Sequence, residues 1–136
     1  MTISTESELL ILMGGSSGDR LDSLVRTGAP LEAVEHLARR YGISAVSAGI
    51  ITARTLRQRH AKGQRLSRDE SDRLYRVSTL LLLAEKVFAD PTKATLWLSK
   101  RQSAFCDRTP LEAAATTPGF TTVQERLAQL DEGYSA

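Results

Sequence analysis

Apolar residues recur along the chain at three- and four-residue intervals, and no stretch alternates as a half-buried strand would. The pattern predicts an all-α fold. Residues 19–26 read as a short helix stopped near Gly28, and Pro30 stands where a first helical position tolerates a missing N–H. Leu31, Val34, Leu37, Ala38 and Tyr41 share one face of the next helix, which Gly42 stops in the left-handed conformation. Residues 44–49 supply about one and a half turns, Ile50-Ile51 connect, and Thr52 caps a helix over 53–62 closed by Gly63. This succession reads as a helix-turn-helix. Ser67 and Glu70 have the spacing of a capping box, and Leu74, Val77, Leu80, Leu81, Ala84, Val87 and Phe88 form the wide stripe of a long core helix. Asp90-Pro91, Thr109-Pro110 and Thr117-Pro118 repeat a cap-then-proline device. They predict helices carrying Ala94, Trp97 and Leu98, then 111–115, then a last helix to about residue 130 with Val123, Leu127 and Leu130 on its buried side. A polar tail, 131–136, follows.

The run Met13-Gly14-Gly15-Ser16-Ser17-Gly18 buries little and costs much backbone entropy to order, so residues 1–18 are expected to form a flexible arm. The net charge of +2 over 136 residues conceals an asymmetry. Residues 19–65 hold nine lysines and arginines against four acids, whereas residues 66–136 hold nine against ten. A cationic first part suits phosphates, or is simply a solvated surface, and a near-neutral second part suits a protein partner. The only cysteine, Cys106, excludes an internal disulfide and is expected to sit half-buried as a small apolar group. With no apolar run of membrane-spanning length and no basic leader region, a cytoplasmic setting is expected.

Catalysis finds no footing. His36 and His60 lie on different predicted helices without an activating serine or cysteine, and His36 reads as a surface residue. No metal-ligand spacing is present, and the Gly/Ser run lacks the lysine of a phosphate loop, so neither cofactor nor metal is expected. The stretch Thr52-Ala53-Arg54-Thr55-Leu56-Arg57-Gln58-Arg59-His60-Ala61-Lys62 carries several cations and no acid. As a recognition helix, Thr52 would cap it and Leu56 would anchor it. Ala53, Arg54 and Arg57 would then face base edges, while Arg59, Lys62 and Arg65 hold the DNA backbone. The same composition also suits a solvated basic face.

From Leu66 onward the chain resembles the toxin-binding domain of Xre, MbcA and ParS antitoxins. The carrying residues are Arg65-Leu66-Ser67, Glu70-Ser71-Asp72-Arg73-Leu74, Ala84-Glu85-Lys86-Val87-Phe88, Ala94, Trp97-Leu98, Arg108-Thr109-Pro110-Leu111, Gly119, Val123, Leu127 and Gly133-Tyr134. Gly28-Ala29-Pro30-Leu31 and Arg54-Thr55-Leu56 resemble the family's Xre-type helix-turn-helix, although Ile50 stands where a turn glycine is common and Cys106-Asp107 where a glycine pair is common. The resemblance implies an arm (1–18), a DNA-binding and dimerisation region (19–65) and a toxin-binding domain (66–136). It implies as partner a RES-type toxin with an ADP-ribosyltransferase-like fold that depletes NAD, and it implies operator DNA bound by a homodimer within a larger complex. Trp97, Arg108, Thr109, Pro110, Gly119, Val123, Leu127, Gly133, Tyr134, Ser135 and Ala136 are the implied toxin-binding residues. Residues 133–136 would occlude the toxin's active site, with the carboxylate of Ala136 in a basic pocket. The alternative is a transcriptional regulator whose C-terminal domain serves only for oligomerisation.

Overall fold

A computed structural model describes residues 5–16 and 18–135. The elements among them are all helical: α1 Thr5–Leu12, α2 Leu21–Thr27, α3 Glu32–Tyr41, α4 Ala53–Lys62, α5 Arg68–Phe88, α6 Pro91–Leu98, α7 Pro110–Ala113 and α8 Thr117–Ser135, with a 3-10 turn at Ser103–Phe105. The expected all-α fold, with a helix-turn-helix region followed by a helical domain built on one long helix, is the fold observed. The chain divides between Ser78 and Thr79, inside α5, into two compact units. Among the described residues no helix is long and apolar enough to cross a membrane.

The first unit begins with a correction. Residues 5–16 are not an arm: α1 buries Leu9, Leu10 and Leu12, and Met13 follows fully buried. Five apolar residues in succession give no amphipathic period to recognise, because a helix covered on most sides has no polar stripe. Ile11, 56% exposed, is the apolar side chain left outside. His36, expected at the surface, is half-buried on α3, and its Nδ1 donates to the Leu12 carbonyl over 3.2 Å. That bond satisfies one of the orphan carbonyls at the end of α1. Residues 1–4 and 17 of the expected arm lie outside the described residues.

The buried face of α3 is Ala33, Leu37 and Tyr41, with Val34 half-buried and Ala38 exposed, so the stripe is turned from the expected one. Gly42 ends α3 at φ 65°, as its position predicts. Residues 28–29 and 65–71 are tied closely together. Leu66 N donates to Ala29 O over 2.9 Å, and Ala29 N donates to Ser71 Oγ over 2.8 Å. Gly28 adopts φ +100°, and a Cβ there would strike the Leu66 carbonyl. These bonds place the opening of α5 inside the first unit, whereas the sequence suggested a division at 65/66.

In the second unit, Leu80, Leu81, Leu82, Ala84 and Val87 of α5 are buried, as are Ala94 and Leu98 of α6 and Val123 and Leu127 of α8. The Asp90 carboxylate accepts from Thr92 N and Lys93 N at 3.4 and 3.3 Å, capping α6 with Pro91 in its first turn. Thr109 and Glu112 form a full capping box on α7, which is shorter than expected. The cap of α8 is Thr116 rather than Thr117, since Gly119 N donates to Thr116 Oγ1 over 3.1 Å. α8 then runs through Ser135 instead of stopping near residue 130, so the tail is helical.

Candidate functional site

The basic helix α4 forms where it was expected, capped by Thr52, whose Oγ1 accepts from Thr55 N over 3.2 Å, and closed by Gly63 at φ 62°. It has no buried residue. Residues 44–49 before it make one helical turn, with Ala48 N donating to Ser44 O and Ile50 N to Ala45 O, and no regular helix. The turn glycine that Ile50 displaces is supplied one position earlier: Gly49 adopts φ 79°, leaving Ile50 and Ile51 free to enter the core.

Two guanidinium groups fasten α4 to α5. Arg73 Nε donates to Ile50 O over 2.9 Å, just ahead of α4. Farther along, Arg59 grips the Glu70 carboxylate with Nε and Nη2, both at 3.2 Å, and reaches Gln64 Oε1 with Nη1, also at 3.2 Å. A bidentate pair of this kind fixes orientation as well as distance. Glu70 simultaneously closes the capping box of α5, accepting from Ser67 N at 2.8 Å while its own N–H donates to Ser67 Oγ at 3.1 Å. Burial pushes its carboxyl upward, but the Arg59 hydrogen bonds, the Ser67 backbone N–H and the Arg59 charge together hold it below the ordinary carboxylate range.

This arrangement sorts the predicted DNA-binding residues. Arg59 is engaged at all three nitrogens inside the first unit, whereas exposed Arg65 is tied by its Nε alone, which donates to Gly28 O over 2.7 Å. Thr52, Ala53, Arg54, Arg57 and Lys62 are exposed, and the side chains of Arg54, Arg57 and Lys62 make no hydrogen bond or ion pair among the described residues. Leu56, expected to anchor α4, is half-buried only.

The second candidate surface belongs to the other unit. Trp97 is half-buried between Phe88 and Phe105, with ring centroids at 6.0 and 6.1 Å, the second pair edge-to-face. Its carbonyl accepts from Gln102 Nε2 over 3.0 Å, which ties the loop after α6 to the aromatic cluster. The loop doubles back through a bridge in which Gln102 N donates to Arg108 O over 3.1 Å. Cys106 and Asp107 occupy its two left-handed positions, φ 57° and 62°. Cys106 is exposed, not half-buried. Arg108 is exposed and Thr109 partly so, and the Glu112 carboxyl is held low chiefly by the Thr109 backbone N–H.

Several residues implied in toxin binding are interior. Pro110, Val123 and Leu127 are fully buried. Gly119 lies so close to α7 that a Cβ would overlap the Ala113 carbonyl. Gly133 is exposed, the side chains of Tyr134 and Ser135 are not described, and Ala136 lies outside the described residues. Among the described residues no group of His, Cys, Asp and Glu could hold a metal ion. Sequence reading missed Arg73 and the Arg59–Glu70 clasp. The one available signal was an arginine-rich helix followed eleven residues later by a capping-box glutamate, a pairing that local periodicity does not register.

Comparison with known proteins assigns both parts. Residues 20–78 match the antitoxin Xre-like helix-turn-helix domain, and residues 83–133 match the antitoxin Xre/MbcA/ParS C-terminal toxin-binding domain. An antitoxin Xre of Pseudomonas putida is 45% identical over 85 residues, a stretch covering 62% of this chain and 54% of that protein. The chain thus aligns with about half the length of this curated relative.

Proposed function

The chain belongs to the Xre/MbcA/ParS antitoxin family, and on that premise we propose that it is an antitoxin that silences a RES-type, NAD-degrading toxin and represses its own operon. The observation carrying this reading is the toxin-binding match over residues 83–133, which takes in the aromatic cluster, the Arg108 loop and most of α8. The partner is an ADP-ribosyltransferase-like enzyme whose active site is occluded by the end of this chain, residues 133–136. Exposed groups meet it: Arg108, the outer edge of Trp97, Thr109 and Gly133. Pro110, Gly119, Val123 and Leu127 act from beneath, holding α7 and α8 in place. Arginine and tryptophan are the residue types enriched at interface hot spots.

Operator binding falls to the first unit as a homodimer, because paired helix-turn-helix modules match paired half-sites. The supporting observation is α4, a helix with no buried residue whose exposed Arg54, Arg57 and Lys62 make no hydrogen bond or ion pair among the described residues. Co-expression with an adjacent RES-type gene tests the principal reading. Restored growth and cellular NAD, with co-purification of the two proteins, are expected. Failure of the two proteins to associate would leave a free-standing regulator whose C-terminal unit only oligomerises. Removing residues 133–136 separates binding from occlusion: the shortened chain is expected to co-purify with the toxin without restoring NAD, and full rescue would refute occlusion by the tail.

A further inference from the structure

We propose that Arg54 and Arg57 are the base-reading pair of α4 and that each half-site carries guanines on two neighbouring base pairs, with Arg59 serving only as a positioning residue. The inference rests on the operator-binding reading above and makes it specific. The two arginines are three residues apart, so they project from one face of α4, separated by about 4.5 Å along its axis. Two side chains on adjacent turns of one helix face can reach neighbouring base pairs when the helix lies in the major groove. Arg59 points elsewhere, with each of its three nitrogens donating to Glu70 or Gln64.

The chemistry of the exposed face selects the ligand. Ala53, Arg54, Arg57, Gln58 and Ala61 are all exposed, and none is a large apolar residue, so the face lacks the desolvated anchor on which protein interfaces depend. No acid in α4 competes for the guanidinium groups. A planar guanidinium donates in parallel to O6 and N7 of guanine, the commonest specific contact in the major groove, and does so in a more rigid geometry than a lysine ammonium. The Arg73 bond ahead of α4 and the Arg59–Glu70 clasp within it hold the helix from its opposite side, leaving this face clear.

The test uses the full chain and a pool of randomised duplex DNA. Selection is expected to enrich half-sites with two adjacent guanines. On the enriched duplex, R54A and R57A are each expected to weaken binding about 5- to 150-fold, the range for loss of one bidentate base contact. R54K and R57K keep the charge and a donor, so they are expected to retain the salt dependence and affinity for unrelated duplex while weakening the guanine preference at one position each, and R54A and R57A are expected to abolish it there. Circular dichroism confirms that the variants fold. Enrichment of sites without the guanine pair, or a guanine preference surviving both alanine variants, would overturn the inference and leave operator binding standing. Failure of the folded chain to bind any duplex at low salt would overturn both, and would make the face a docking surface for an acidic protein.

Discussion

Helices α4 and α6 are similar in length and both present candidate partner surfaces, yet they are held in opposite ways. α6 buries Ala94 and Leu98 and lodges Trp97 between two phenylalanines. α4 buries nothing and is held by Arg59–Glu70, by the Arg73–Ile50 bond and by the partial cover of Leu56. An apolar anchor tolerates small shifts of its neighbours, because dispersion and area burial are non-directional. A guanidinium–carboxylate clasp is directional and suits a helix whose orientation must be set while its outer face stays polar. The lesson is that a helix with a cationic outer face can be positioned without a buried side chain of its own, provided the carboxylate that holds it is itself preorganised, as Glu70 is by the α5 capping box.

The largest expected effects break each unit at its closest backbone approach. Gly28→Ala, at φ +100° against the Leu66 carbonyl, and Gly119→Ala, against Ala113, are each expected to cost about 3 kcal/mol or more, measured by denaturant unfolding. A loss below about 1 kcal/mol in either would show that the backbone relaxes to admit a methyl group. Next, Trp97→Ala is expected to cost roughly 2–4 kcal/mol, somewhat less than a fully buried tryptophan would. Near-ultraviolet dichroism should lose the Trp97 signal while the far-ultraviolet signal persists.

The clasp holding α4 comes third. Arg59→Met leaves the Glu70 side chain, 8% exposed, without its partner, and is expected to cost about 1–3 kcal/mol. Its pH signature sharpens the contrast. The Glu70 carboxyl is held below its ordinary value of 4.5 in the folded protein, so its contribution is complete above that value and is lost as pH falls through the lower, folded value. Acid titration of stability should therefore steepen below about pH 4.5 in the parent and flatten in E70Q. An unchanged acid limb in E70Q would show that the clasp contributes nothing. The smallest effects run the other way. Ala89→Gly and Cys106→Gly relieve left-handed residues at φ 57° and are expected to stabilise by up to about 1 kcal/mol, since the strain removed slightly exceeds the entropy that glycine adds to the unfolded chain.

What the sequence determined by itself is what local physics controls. Thr52, Asp90, Thr109 and the Ser67–Glu70 box mark helix starts because a cap bonds within three residues of itself. Gly42 and Gly63 mark stops because only glycine enters the left-handed region freely. The basic face of α4 and the long stripe of α5 were legible for the same reason, and the family resemblance carried the two-part organisation. Tertiary structure alone decided the rest. It turned residues 5–12 into a helix that buries Leu9, Leu10 and Leu12 and that no periodicity announced, and set a left-handed turn at Gly49. It gave Arg59 and Arg65 partners 11 and 37 residues away. It also set Pro110, Val123 and Leu127 inside and Arg108 outside. Partners distant in the chain leave no local pattern, so which cation is free and which is spent becomes visible only once the chain has folded.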